Sequence, residues 1–324
     1  IGFLNLDNFG MSPENSYVPK TPQNFYELAW AKRLEFVQSL VDGGEDNAFR
    51  IIKMLERHEE KFHLSAESVL GEARDEITGD VVKQMQILTG RAEWLPVLPE
   101  NNTDYLPTGA PPTTENSFLG SKISVPAYAD LKSIVAHWII EFLHDDDKAI
   151  VELGCGYGRN LFNIHYLGGP RDLPYYAAEY TGSGKQLTAL LAALESSIQM
   201  RVEHFDHNNV DLGFLQGEDQ ILIFTCHSIE QVKEIPASYF ADLARVPKKI
   251  TCIHFEPFGF QISSDDSIST AQQELFVKND WNLNFFDVLK AAAEAGSINL
   301  THVYKDMIPN ETYSPTSIAI WRNF

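Results

Sequence analysis

The sequence predicts an α/β fold whose central sheet is largely parallel and covered by helices on both faces. Three observations carry that reading. Near-continuous apolar runs at 148–153, 220–226 and 249–257 have the composition of strands buried on both sides. Helical segments alternate with these runs, as the crossovers between parallel strands require. The first run passes directly into a turn with glycine at 154, 156 and 158, and then into the helical stretch from Asn160 to Leu167.

Along the chain, residues 24–94 read as several helices. Apolar stripes fall on Phe25, Leu28, Ala29, Leu34, Val37 and Val41, and on Phe49, Ile52, Met54 and Leu55. A third helix is expected over 65–88 from Val69, Ala73, Ile77, Val81, Met85 and Leu88, interrupted by Gly79. Five prolines between Leu95 and Ser117 predict an irregular connection. The chain thus divides into a helical accessory region, 1–117, and a larger unit, 118–324, with a helix at about 128–143 before its first strand. Beyond the glycine turn come a strand at 174–180, a helix at 183–198 and a strand at 200–206. After the runs at 220–226 and 249–257, a helix over 276–295 should break near Asn279 to Trp281. Two last strands, 299–304 and 316–322, flank a proline-bearing loop.

The glycine spacing bears on the ligand. G-x-G-x-G differs from the dinucleotide pattern, whose third glycine would stand one position after Gly158 in a nicotinamide-dependent oxidoreductase. Glu152, two positions ahead of Gly154, would repel a pyrophosphate and attract a sulfonium or ammonium. Glu179, 21 positions past Gly158 at the tip of the second strand, stands where paired hydrogen bonds grip a ribose diol.

The E-x-G-x-G-x-G stretch from Glu152 to Gly158 resembles motif I of the class I S-adenosylmethionine (SAM) dependent methyltransferases. The resemblance extends over about residues 120 to 324. It implies a Rossmann-like seven-stranded sheet closed by an antiparallel hairpin, an amino-terminal helical cap, and SAM as cofactor. It also implies a cofactor site made of Glu152, Gly154, Cys155, Gly156, Gly158 and Asn160, of Glu179 and Tyr180, and of Asp206 and His207, with Asp206 accepting from the adenine amino group. A cap of this kind would roof the pocket, and Tyr17, Phe25, Tyr26 and Trp30 are available for that; the same helices could instead form a homodimer interface.

The stretch from Cys226 to Val232 resembles the junction after the fourth strand in small-molecule members of the family, where His-x-x-Glu-His is common; Gln231 departs from it. On a helix, His227 and Glu230 would share a face toward the cofactor crevice, as catalytic groups. Alternatively, Ser228 caps that helix and Glu230 stabilises its positive end. His254 and Glu256, two apart in the fifth strand, make a second candidate for a base or substrate clamp, unless His254 is a structural group donating to a carbonyl. The resulting expectation is methyl transfer to an oxygen or nitrogen of a small molecule, with sugars and secondary metabolites favoured. N-methylation of a cationic amine or amino-acid-like substrate, and a non-catalytic SAM-binding scaffold or sensor, are the alternatives.

Composition narrows the partners. A net charge of −20 over 324 residues argues against a phosphate backbone as substrate. With no apolar stretch of membrane-spanning length and no leader pattern, a cytoplasmic protein without membrane partners is expected. Cys155, Cys226 and Cys252 fall on or beside inner strands without metal-ligand spacing, so neither disulfides nor a metal is expected.

Overall fold

The computed structural model describes residues 22–57, 69–74, 81–88, 91–96, 113–126, 129–246, 249–311 and 314–324; the side chains of 22–25 and 69–114 are outside the description. Tyr17, the Phe25 side chain and most of the proline-rich connection therefore lie outside it. Two helices come first, α1 (Pro22–Asp42) and α2 (Ala48–Arg57). Their inner faces are rotated from the expected stripes. Ala29, Arg33 and Val37 of α1 and Ile51, Ile52 and Leu55 of α2 are buried, whereas Leu28 and Phe49 are exposed.

The helix expected over 65–88 does not form. This stretch supplies β1 (Val69–Arg74) and β2 (Val81–Leu88), which join β3 (Arg91–Pro96) in a three-stranded antiparallel sheet. Short apolar segments fit both periods, and the β-branched Val81, Val82 and Ile87 favour the strand. The hairpin β4 (Thr113–Phe118) and β5 (Ser121–Pro126) follows, so β4 runs across the expected boundary at 117/118.

The larger unit then alternates strand and helix. In order it contains α3 (Ile134–Phe142), β6 (Ile150–Leu153), α4 (Arg159–Tyr166), β7 (Pro174–Glu179), α5 (Gly182–Leu194), β8 (Gln199–His204), β9 (Gln220–Cys226), α6 (Tyr239–Leu243) and β10 (Lys249–Glu256). The short α7 (Gly259–Ile262) precedes α8 (Ser267–Asn279), α9 (Phe285–Glu294), β11 (Asn299–Ile308), β12 (Asn310–Glu311) and β13 (Thr316–Arg322). The break between α8 and α9 falls where the sequence placed it. Asp280 ends α8 at φ 55°, and the Asn282 carboxamide oxygen accepts the amides of Asn284 and Phe285 to start α9.

Seven strands form one sheet in the order β11-β13-β10-β9-β6-β7-β8; β6 to β10 run parallel, and β13 is antiparallel to both its neighbours. Each strand expected of the larger unit is present. Side chains alternate between two cores. Tyr175, Leu222, Phe224 and Phe255 pack with Ile139, Phe162 and Leu187 on one face; Tyr176, Ile223, Cys252 and Trp321 pack with Phe240 and Leu289 on the other. At about 1.5–3 kcal/mol for each large apolar side chain fully buried, this double cover is what makes the middle strands uniformly apolar. Outside that sheet β12 pairs with β4, and Asn310 lies opposite Ser117.

Candidate active site

Strand order reverses beside β6, with β7 and β8 on one side and β9 and β10 on the other. Chain connections diverge there and leave a crevice beyond the carboxyl ends of the strands, the place where open α/β sheets bind ligands. A cavity occupies that crevice, bordered by the ends of β6 (Gly154, Gly156), β7 (Glu179 to Thr181) and β9 (His227, Ser228), and by Asp206 to Asn208 just beyond β8.

The glycine turn has no room for β-carbons at two positions. At Gly154, φ 76°, a Cβ would lie 2.4 Å from the Ser228 Cβ; at Gly156, φ 59°, it would lie 2.7 Å from the Trp30 ring. Glu179 anchors the turn from the next strand. Its Oε2 accepts the Gly156 amide at 2.8 Å, and its Oε1 accepts the Thr181 amide at 2.9 Å and hydroxyl at 2.7 Å. Burial raises the Glu179 pKa, an effect that the Thr181 and Gly156 donors oppose.

Helix α1 roofs this arrangement. Tyr26 and Trp30 both border the cavity, and Trp30 meets Tyr157 edge-on at 5.7 Å between centroids. The Arg33 guanidinium stacks over the Trp30 ring at 4.7 Å. Tyr26 and Trp30 are both among the aromatic residues available for a roof; the other two lie outside the described side chains.

Of the residues expected around the cofactor, Gly154, Gly156, Glu179, Tyr180, Asp206 and His207 border the cavity, while Glu152, Cys155, Gly158 and Asn160 do not. Glu152 lies beneath the turn, 1 % exposed, with its Oε1 accepting from the Asn160 amide group at 2.6 Å. Burial pushes its pKa up to about 8. From there it braces the turn through Asn160. Gly158 is the left-handed N-cap residue of α4, at φ 78°. Cys155 is buried, and burial raises its thiol well above the ordinary range. Among the described residues no cluster of metal-ligand type occurs.

The expected helix after β9 is a single 3-10 turn, Ile229–Gln231, and Ser228 does not cap it. The Ser228 hydroxyl donates instead to the Leu153 carbonyl at 3.0 Å. That fixes the direction of a buried chain. With its one proton committed, Ser228 Oγ accepts from His207 Nε2 at 3.1 Å, so His207 Nδ1 accepts from the Tyr239 hydroxyl at 2.8 Å. Burial holds the His207 pKa down at about 4, against the pull of Asp206, and the ring is neutral.

The four catalytic candidates separate. His227 borders the cavity. It directly follows β9 in a left-handed conformation, φ 51°, that side-chain-bearing residues seldom adopt. Its Nδ1 lies 3.4 Å from Glu230 Oε2, and its Nε2 meets Thr316 Oγ1 at 2.6 Å and Asn310 Nδ2 at 3.2 Å. Burial opposes the imidazolium, but Glu230 and then Glu256 outweigh it and the pKa is raised. Glu230 and Glu256 border a smaller space behind the turn, not the main cavity. Glu256 accepts the Ser228 amide at 3.2 Å, and burial brings its pKa up to about 7.

His254 borders neither of these spaces. It is fully buried at the middle of the sheet, and it donates to no carbonyl. Trp321 Nε1 donates to its Nε2 at 2.9 Å, which places its proton on Nδ1, facing Thr225 Oγ1 at 3.0 Å. Burial takes its pKa down to about 3. Side-chain alternation sends His254 into the core packed by Phe240 and Phe285. Sequence reasoning missed Tyr239, Thr316 and Asn310, which carry no local motif for this role. They reach His207 and His227 across 32, 89 and 83 residues of chain.

No family model and no curated protein matches the sequence. Solved structures that it resembles include a SAM dependent methyltransferase from Aquifex aeolicus, at 14% identity over 59% of this chain and 90% of that one, TM-score 0.38. Another is the geranyl diphosphate C-methyltransferase from Streptomyces coelicolor A3(2), at 12% identity over 59% and 80%, TM-score 0.40. A third is the mitomycin 7-O-methyltransferase, at 12% identity over 60% and 54%, TM-score 0.42. The fold is defined by the chain's own strand order, a parallel sheet with an antiparallel strand inserted next to its last one. That is the seven-stranded sheet of class I methyltransferases.

Proposed function

We propose that the protein is a SAM-dependent methyltransferase acting on an oxygen or nitrogen of a small molecule. The observation that carries this reading is the convergence of three features at the switch point. These are a glycine turn cleared of β-carbons, a carboxylate bonded to that turn at the tip of the next strand, and a second carboxylate, Asp206, beyond the strand after it. The donor set suits the group: Glu179 for a ribose diol, Asp206 for an adenine amino group, and the faces of Tyr26 and Trp30 against a sulfonium. SAM would supply the activated methyl group and its own leaving group.

The chain's own part is alignment, exclusion of water and handling of one proton. His227 is the residue for the last task. The Asn310 amide nitrogen can only donate to Nε2, which leaves the ring proton on Nδ1, on the side of Glu230, so the basic atom is Nε2, which Thr316 and Asn310 now share. An acceptor hydroxyl or amine must displace one of them or pass its proton by way of the Thr316 hydroxyl. The carboxylates of Glu179 and Asp206, with the net charge of −20, favour neutral or cationic acceptors over anionic ones. Calorimetry with SAM, S-adenosylhomocysteine and NAD tests the reading first. Binding of the two sulfur compounds without NAD is expected; no binding of either would remove the cofactor assignment and the function with it.

A further inference from the structure

Glu27 lies on α1 beside Tyr26 and one turn from Trp30, the two side chains that roof the cavity. Its carboxylate reaches across to the start of α5. Oε2 accepts the Gly182 amide at 2.8 Å, and Oε1 accepts the Ser183 amide at 2.9 Å and the Ser183 hydroxyl at 2.5 Å. First-turn amides have no partner within their own helix and sit at its positive end, so they suit a carboxylate twice over. Gly182 directly follows Thr181, whose amide and hydroxyl bind Glu179. Glu179 in turn holds the Gly156 amide, and Trp30 rests on Gly156. The contacts form a closed ring from α1 through α5 and the glycine turn back to α1, and Trp30, Gly156, Glu179 and Thr181 of that ring all border the cavity.

We propose that Glu27 is a positioning residue that couples occupation of this cavity to closure of α1. A ligand that engages Glu179 and Thr181 fixes the start of α5; Glu27 then holds α1 against it, and Tyr26 and Trp30 cover the ligand. The inference rests on the SAM reading of the cavity and adds to it a part for the accessory helix in retaining the cofactor. By linkage, whatever the ligand does to secure α1, α1 does to secure the ligand.

Hydrogen exchange over α1 and stopped-flow dissociation of S-adenosylhomocysteine, in wild type, Glu27→Ala and Ser183→Ala, test it. In wild type the ligand should slow exchange over α1. In Glu27→Ala that protection should vanish and the ligand should leave about tenfold faster, the scale of losing charge-assisted bonds, with the unfolding midpoint close to wild type. Ser183→Ala, which loses one of the three bonds, should fall between. A purely structural Glu27 would lower the midpoint and leave the dissociation rate alone. Wild-type dissociation together with wild-type α1 protection in Glu27→Ala overturns the proposal. Should wild type bind no S-adenosylhomocysteine, the cofactor reading fails by itself; unliganded exchange over α1 then judges the clasp, and no increase in Glu27→Ala sinks that too. Should Glu27→Ala not fold, Ser183→Ala decides by the same readouts.

Discussion

His227 follows β9 and His254 lies within β10, its parallel neighbour in the sheet, and of the two only His227 borders the cavity. His227 lies just past the carboxyl end of its strand, where the backbone turns to φ 51°. His254 is two residues short of the end of its strand, in full register with Thr225 of β9 and Ala319 of β13. Both have polar partners on both ring nitrogens, yet their charge states diverge. Burial is the largest single effect on each ring, but at His227 the carboxylates of Glu230 and Glu256 together outweigh it and the pKa goes up, whereas at His254 burial, helped by His207, takes it down to about 3. A histidine in a parallel sheet is thus assigned less by its neighbours in sequence than by its distance from the carboxyl edge.

The largest effect expected from this contrast is on turnover. His227→Asn should slow methyl transfer by roughly 10²–10³-fold, within the range of general base catalysis, with SAM affinity largely retained. Single-turnover transfer of labelled methyl, alongside calorimetric SAM binding, separates the two. Unchanged turnover would reduce His227 to a wall of the cavity and erase its difference from His254.

His254→Ala should act on the other side of the comparison. It leaves Trp321 Nε1 and Thr225 Oγ1 without their partner in a packed core, at a cost of about 2–4 kcal/mol in unfolding free energy, with turnover per folded molecule unchanged. Denaturant melts and active-site-normalised rates check both halves. The pH dependence follows from the same burial. Because the folded-state pKa of His254 lies far below the ordinary 6.5, the unfolded chain takes up a proton first as pH falls. Stability should be full above about 6.5 and decline as pH drops toward 3. In His254→Phe, if folded, this decline should shrink.

Sheet and turn were legible because they rest on local rules. Double-sided burial makes β6, β9 and β10 continuous apolar runs, and the glycines at 154 and 156 stand where a β-carbon would collide with Ser228 or Trp30. Glu179 was legible from its spacing, since β7 must end opposite the turn. What depended on three-dimensional register was not. Glu152 reads as a charge beside the ligand but alternation turns it under the turn toward Asn160. The partners of His227 come from β12 and β13, near the end of the chain, and nothing around Asn310 or Thr316 marks them as partners of a histidine. The segment at 81–88 has apolar residues at helical spacing and forms a strand, because its propensity and its pairing with β1 and β3 override a short periodic signal.

The smallest expected effect is the most specific to the His227 environment. Glu230 lies 3.4 Å from Nδ1 and is the chief reason that the pKa of His227 is raised against the opposing effect of burial. If neutral His227 takes the acceptor's proton, the acidic limb of the kcat/KM profile belongs to its deprotonation in the free protein and lies above the ordinary histidine value of 6.5. Glu230→Gln keeps the shape and removes the charge, so the limb should move to lower pH while the plateau rate changes little. Stability must shift with it. A raised folded-state pKa gives stability that is full below 6.5 and is lost as pH rises through the folded value, and Glu230→Gln should remove that component at acid pH only. A limb that stays in place while acid stability falls would show that Glu230 secures the fold around His227 without tuning the base. A shift in both would tie the charge behind the ring to the chemistry in front of it.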